Sequence, residues 1–412
     1  MNGRFVFYSH DGIGLGHLRR NLAIAAALTG AAPDASVLLA TGCDDLGTHG
    51  LAPNVDVLVL PGLRKVANGR YSARRLPMSG RELRALRSAQ LETAIRTFRP
   101  DVMLVDKHPV GVRGELRPAL DVLLATGGCA ALGVRDILDD AASVAEEWAG
   151  AGVVDAMERY VDRILVYGDP RVLNVVDEYG LPPSLAARSR YCGYVVNPVP
   201  ARSLAVDRLP EFATRLDRRP RVLATAGGGE DGWTLLESFA RAAQGAAWDA
   251  VIVCGPQLST RARQALRALS IEFDVEFHVN EPDVASWFSH VDALVCMGGY
   301  NTLCEATSRG TPTVCVPRVR PRREQLIRAR AFARLGLLTV VEPDPLTPER
   351  LRREVAALLG ANRRELAGRA QAALGFDGAA AAARELLDLA KARRGRTPRR
   401  GGPRRLAGLS YR

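Results

Sequence analysis

Short β-branched or apolar runs alternate with longer amphipathic segments from one end of this chain to the other, and the alternation runs twice. The spacing predicts strands over 4–9, 36–41, 55–60, 102–105, 130–133 and 163–167, and after a break over 221–225, 250–254, 276–279, 293–296, 313–316 and 338–341. Segments between them have helical periodicity, such as 80–98 and 18–28, where Leu18, Leu22, Ala25 and Leu28 share one face. Strands separated by helices imply parallel sheets covered by those helices. Each run opens on a strand feeding a glycine-rich turn, Gly12-Ile-Gly14-Leu-Gly16 in the first and Gly227-Gly228-Gly229 in the second. The stretch 192–220 holds four prolines and no strong periodicity, which marks a linker. The expectation is an α/β protein of two doubly wound, Rossmann-like domains facing a central cleft. Its divisions are 1–195, a linker over 196–220, 221–390, and a basic tail over 391–412. A chain of 412 residues suits two cores of ordinary size.

The formal charge of +11 suggests a polyanion partner only if it is spread over the fold, and it is not. Nine of the 56 basic residues fall in 391–412, which has no acidic residue, leaving 47 basic against 45 acidic residues in the first 390. A solvated, disordered extension is the simpler reading of that tail; peripheral contact with an anionic membrane is the functional one, and no specific nucleic acid is expected. The longest uncharged apolar run, 122–134, falls short of the ~20 residues a bilayer span requires. The first residues pass straight into a strand-like run without a basic segment and apolar core, so the expected location is cytoplasmic, with the tail reaching the inner membrane face. Seven cysteines without C-x-x-C spacing read as reduced, buried small hydrophobes.

The first turn resembles a dinucleotide fingerprint but has His17 where G-x-G-x-x-G requires glycine. An imidazole in the first turn of a helix, with glycines letting the backbone approach a ligand, is a candidate general base. The alternative is a histidine that satisfies a backbone carbonyl. Gly227 to Gly229 can present backbone N–H groups to a diphosphate or form an ordinary flexible turn. In Val295 to Pro317 a strand ends in Gly298-Gly299 and a helix starts near Asn301, with Glu305 one turn in. A carboxylate there suits the vicinal hydroxyls of a ribose, while Thr302-x-x-Glu305 also fits a capping box. Downstream, Arg318, Arg320, Arg322 and Arg323 can answer phosphates, and Glu324 and Gln325 can bond sugar hydroxyls; alone, the run reads as a solvated basic loop. Asp106 and Asp136 end strands of the first domain at the cleft, where either can orient His17, hold an acceptor hydroxyl or cap a helix.

Taken together, these pieces resemble the GT-B glycosyltransferases, and among them the bacterial N-acetylglucosaminyltransferase family that completes the lipid-linked peptidoglycan precursor, over residues 4 to about 389. The resemblance implies that Gly227 to Gly229 meet the donor diphosphate, and that the run Gly299-Tyr-Asn301-Thr302-Leu-Cys-Glu305 places its threonine at phosphate and its glutamate at the ribose. It further implies that Glu324-Gln325 reaches the donor sugar and that the turn Gly14 to His17 faces the acceptor, making 1–195 the acceptor-side domain. Glu324 replaces an amide of that family, and its first turn differs. The run Ile13-Gly-Leu-Gly-His17-Leu-Arg-Arg20 also resembles the nucleotide-sugar hydrolase of pseudaminic acid synthesis, in which the histidine activates water. An uncharacterised group of predicted glycosyltransferases shares Tyr8 to Arg20 nearly letter for letter, and resembles 105–116, 133–140, 167–172 and 321–329 as well.

The expected activity is transfer of a sugar from a nucleoside-diphosphate donor, a UDP-sugar first, to a small-molecule or lipid-linked acceptor hydroxyl. No cofactor beyond that co-substrate is expected. No metal is expected either, since the chain has no D-x-D triplet and no His/Cys cluster at ligand spacing. The alternatives are a nucleotide-sugar hydrolase and a non-catalytic nucleotide-sugar sensor.

Overall fold

A computed structural model describes residues 3–9, 16–43, 50–66, 70–197, 219–281 and 283–395. Gly12 and Gly14, most of the expected linker and the tail from 396 lie outside the described residues. The first domain contains β1 (Arg4–Tyr8), β2 (Ser36–Thr41), β3 (Val55–Val59), β4 (Leu63–Val66), β5 (Arg70–Ala73), β6 (Val102–Asp106), β7 (Cys129–Arg135), β8 (Arg163–Tyr167) and β9 (Ser189–Tyr191). Seven of them form one sheet in the order β3-β2-β1-β6-β7-β8-β9 with every pairing parallel. The second sheet is also parallel, in the order β12-β11-β10-β13-β14-β15, from β10 (Arg221–Thr225), β11 (Asp249–Val253), β12 (Val275–His278), β13 (Ala293–Cys296), β14 (Thr313–Cys315) and β15 (Thr339–Val340).

All twelve expected strands are present, with ends within two residues of the predicted ones. Three others escaped the pattern. β4 and β5 form an antiparallel hairpin of mixed basic and apolar residues, and β9 is a three-residue edge strand with no apolar alternation. Alternate residues of each parallel strand enter two cores, since both sheet faces are covered. Phe5, Phe7, Leu104, Ala131 and Leu165 pack under the helix Gly16–Ala31, whereas Val6, Met103, Val105, Leu132 and Ile164 face the opposite layer, which includes Leu91 and Ile95 of the helix Gly80–Phe98. The first of these cores continues into the second domain through Tyr194, Tyr300 and Phe332.

The chain crosses between the domains twice, and the two crossings lie side by side. The N–H of Tyr194 bonds the carbonyl of Gly375 at 2.8 Å, the N–H of Gly378 bonds that of Tyr194 at 3.1 Å, and Val195 pairs antiparallel with Asp377. Gly193 has a φ of 79°, and a Cβ there would stand 2.8 Å from the Gly375 carbonyl oxygen, so this close approach requires glycine. The expected domain limits change accordingly. The last helix, Gly378–Arg394, is part of the first domain: it packs on the helix Gly16–Ala31, Arg163 pairs with Glu385, and Arg394 reaches Asp101 at 2.8 Å. Its apolar face, with Ala382, Leu386, Leu389 and Ala390 buried, supplies the reason, because that stripe covers a sheet face left open by the first domain's own segments. Residues 391–395, assigned from composition to the tail, are its last turn, where Arg393 also binds Asp101. No helix among the described residues is long and apolar enough to cross a membrane.

Candidate active site

In each sheet the strand order reverses direction about its first strand, between β1 and β6 in one and between β10 and β13 in the other. Loops leaving the carboxyl ends of two such strands diverge to opposite faces and open a crevice, the usual place for a ligand in an open parallel sheet. Site residues picked out in the sequence, and the two glycine turns among the described residues, stand at these two points. His17 starts the helix after β1 and Asp106 ends β6; Gly227 to Gly229 follow β10, and Gly298-Gly299 follow β13.

His17 and Arg20 lie one helical turn apart and converge on Asp106. Nδ1 of His17 is 2.5 Å from Oδ2 of Asp106, and Nη2 of Arg20 is 2.7 Å from Oδ1. The guanidinium also comes within 3.0 Å of Nδ1, but arginine can only donate. The carboxylate therefore sets the tautomer, with the proton on Nδ1 and the basic lone pair on Nε2. Burial lowers the imidazole's pKa to about 4 against the opposing pull of Asp106, so the ring is neutral near pH 7. Burial works to raise Asp106, and Arg20 with His17 outweighs it, holding the carboxyl below its ordinary range. Arg20 lies between the rings of Tyr167 and Tyr300, 5.2 Å and 5.7 Å from their centroids. Tyr167 in turn fills the space over Gly133, where a Cβ would come 2.3 Å from the phenol oxygen.

Across the cleft, the helix Tyr300–Ser308 has Gly299 as its N-cap. Thr302 is thus inside the first turn, which excludes the capping box, and Glu305 is buried and free to turn towards the first domain. It accepts from Asn197 Nδ2 at 2.9 Å and Arg19 Nη2 at 3.2 Å. Asn301 Nδ2 donates to the Gly16 carbonyl at 3.4 Å, so the N-terminal turns of two helices from different domains touch. Gly298 has a φ of 79° and stands against Cys315 and Gln325.

The turn Gly227 to Gly229 differs from expectation. The N–H groups of Gly227 and Gly229 are turned inward, to Thr225 Oγ1 at 3.3 Å and the Ala226 carbonyl at 3.2 Å. A Cβ on Gly229 would meet the Cys254 carbonyl at 2.4 Å, and one on Gly228 the Gln257 amide at 2.7 Å. Two of these three glycines serve close packing of adjacent turns, and only Gly227 faces open space.

The run after β14 is no solvated basic loop. Arg318 bonds Glu324 at 2.6 Å and Asp231 at 2.9 Å, and its N–H meets Gln325 Oε1 at 3.1 Å. Arg322 bonds Glu147 of the first domain at 2.8 Å, and the N–H of Arg323 bonds Asp139 at 2.7 Å. Oε2 of Glu324 is buried without a hydrogen-bond partner among the described residues.

Asp136 does not orient His17. It belongs to a second buried pair, with Arg328, whose Nη2 stands 2.7 Å from Oδ1 and whose Nε stands 2.9 Å from Oδ2. Arg328 also donates to the carbonyl of Gly298 at 3.3 Å and lies 5.6 Å from the Tyr300 centroid. Arg20, Tyr167, Arg135 and Arg328 were not singled out for a role from sequence. The i, i+3 and i, i+4 spacings His17/Arg20 and Glu324/Arg328 were the available signal, because on a helix those positions share a face.

Residues 235–386 match the model of the glycosyltransferase family 28 C-terminal domain. The UDP-N-acetylglucosamine–N-acetylmuramyl-(pentapeptide) pyrophosphoryl-undecaprenol N-acetylglucosamine transferase of Corynebacterium efficiens is 27% identical over 277 residues, which are 63% of this chain and 71% of that protein. Its counterpart in Glaesserella parasuis is 30% identical over 84 residues, and there the match spans about a quarter (24%) of the relative's length. Among solved structures, MurG of Acinetobacter baumannii superposes with a TM-score of 0.58 at 15% identity, covering 95% of this chain and 99% of that one. The glycosyltransferase VinC in complex with dTDP gives 0.60 at 19%, covering 94% and 100%. The chain thus has the GT-B fold, with residues 235–386 similar to the glycosyltransferase family 28 C-terminal domain and a longer stretch similar to the peptidoglycan N-acetylglucosaminyltransferases.

Proposed function

We propose that this protein transfers a sugar from a nucleoside-diphosphate donor, UDP-linked first, to an acceptor hydroxyl held by the first domain. The observation that carries the reading is the His17–Asp106–Arg20 constellation, set opposite the helix Tyr300–Ser308 across the cleft. Asp106 holds the ring so that Nε2 takes the acceptor's proton as its oxygen attacks the anomeric carbon. The N–H groups of the helix starting at Tyr300 and the cleft arginines meet the charge of the departing diphosphate, which supports chemistry without a metal. Glu305 would take the ribose hydroxyls by exchanging its bonds to Arg19 and Asn197, and Oε2 of Glu324, which has no hydrogen-bond partner among the described residues, would accept from a sugar hydroxyl.

A second reading, hydrolysis of the nucleotide sugar, is favoured by one observation: in Ile13 to Arg20 the arginine of the resembling hydrolase motif is the residue that fixes Asp106. Incubating the protein with UDP-sugars, with and without candidate acceptors, separates the two. Release of UDP that requires acceptor, persists in EDTA and falls roughly 10²–10⁴-fold in His17→Ala supports transfer. Equally fast, His17-dependent release of free sugar without acceptor means hydrolysis.

A further inference from the structure

Two cations at the carboxyl ends of β6 and β7 take part in no ion pair or side-chain hydrogen bond among the described residues, Lys107 and Arg135. Lys107 follows Asp106 directly, has a left-handed backbone (φ 71°) and bonds its N–H to the Gly133 carbonyl at 2.8 Å. Non-glycine residues keep such a conformation where their surroundings fix it. Arg135 ends β7 two residues beyond Gly133, and β-strand alternation puts its side chain on the same face as that of Asp106, whose register partner is Gly133.

The arginines that press on them are themselves paired, Arg20 with Asp106, Arg328 with Asp136 and Arg322 with Glu147. Burial, with Arg135 and Arg322 alongside, lowers the Lys107 ammonium to about 8; burial, with Arg328 and Arg20, lowers Arg135 to about 10. Nδ1 of the neighbouring His108 is buried without a partner. Two unbalanced positive charges in a half-buried place cost stability unless an anion joins them.

We propose that Lys107 and Arg135 form an oxyanion subsite that holds a doubly charged phosphate or dicarboxylate group of the acceptor, beside the hydroxyl that His17 activates. This rests on the transferase reading. The planar fork of Arg135 and the point charge of Lys107 together suit such a group. Lys107 follows one strand of the first domain and Arg135 ends the next, at the same crevice as His17 and Asp106, whereas the donor diphosphate is proposed to meet the start of the helix Tyr300–Ser308 in the second.

The test is the melting temperature of the full chain with saturating UDP, in inorganic phosphate or malonate against chloride of equal ionic strength. Wild type, Lys107→Gln and Arg135→Gln are compared. At anion concentrations well above Kd, at least one oxyanion raises the wild-type Tm by roughly 2–4 °C and leaves both variants unmoved. In chloride the variants melt at or above wild type, because a like-charge repulsion has been removed, and all three keep their response to UDP. The proposal is overturned if neither anion stabilises wild type, or if the variants melt lower and still respond to anion, as merely structural residues would. It is equally overturned if the variants lose the UDP response, which would place them at the donor diphosphate. Should UDP itself leave wild type unmoved, the donor reading fails, and the anion arm run without UDP still decides this subsite.

Discussion

Arg328 of the second domain and Asp136 of the first meet with neither side chain exposed to solvent, at 2.7 Å. Taking two charges out of water is costly, and their attraction recovers that cost only while both are present. Asp136→Ala should therefore lower stability by about 3–5 kcal/mol in urea denaturation, by leaving a guanidinium buried without its counter-charge. The double variant Asp136→Leu with Arg328→Met should recover most of the loss. A double variant as unstable as the single would assign the damage to lost packing.

The imidazole of His17, lowered to about 4, fixes the acid side of the pH profile. As pH falls, kcat/KM should stay level to about pH 5 and then decline around 4, where the base is protonated; a solvated histidine would put that limb near 6.5. Stability has the matching sign. The unfolded ring binds its proton near 6.5 and the folded ring near 4, so wild type loses stability relative to His17→Ala as pH falls from 6.5 to 4, and no further below. A difference that is flat across this window would contradict burial of the neutral ring.

Arg19 and the nucleotide ribose compete for Glu305 on the donor reading. Glu305→Ala should weaken UDP binding by roughly 1–3 kcal/mol, the loss of charge-assisted hydrogen bonds. Arg19→Ala should leave UDP affinity unchanged or improve it, since one partner to be displaced is gone. Calorimetric titration of both variants decides this; equal weakening by both would make the pair a structural clamp.

Deletion after Gly395 should change stability by less than ~0.5 kcal/mol and should reduce adhesion to anionic vesicles at low salt, because it removes only residues beyond the last helix. Deletion after Ala390 should cost more, since it also takes away Arg393 and Arg394 from Asp101. Vesicle sedimentation that is identical for the full chain and the Gly395 truncation would leave the tail without a membrane role.

The strand positions and the glycine turns after β10 and β13 were legible in the sequence because hydrophobic period and glycine placement are local properties. So was the convergence of site residues from several segments, since parallel sheets collect their carboxyl ends at one side. Which aspartate meets His17 was not legible: Asp106 and Asp136 both end strands, and only the strand order, with β6 next to β1, brings Asp106 to the histidine. The pairing of Asp136 with Arg328 joins residues 192 apart and has no local signature. The inward turn of Gly227 and Gly229 was hidden for the same reason, because it depends on packing against Cys254 to Gln257. The helix Gly378–Arg394 was misassigned because an amphipathic stripe shows that a face is buried and not which sheet buries it.

The adjacent crossings at 193–195 and 375–378 make the second domain an insertion within the first. A continuous piece of chain, 219–376, can be cut out as a fragment, whereas the first domain is assembled from segments on either side of it. During synthesis the first sheet must therefore wait for its last helix until the whole second domain has been made. Joining residue 195 to residue 377 through a few glycines, where the backbones already pair, would give that domain as a single uninterrupted chain.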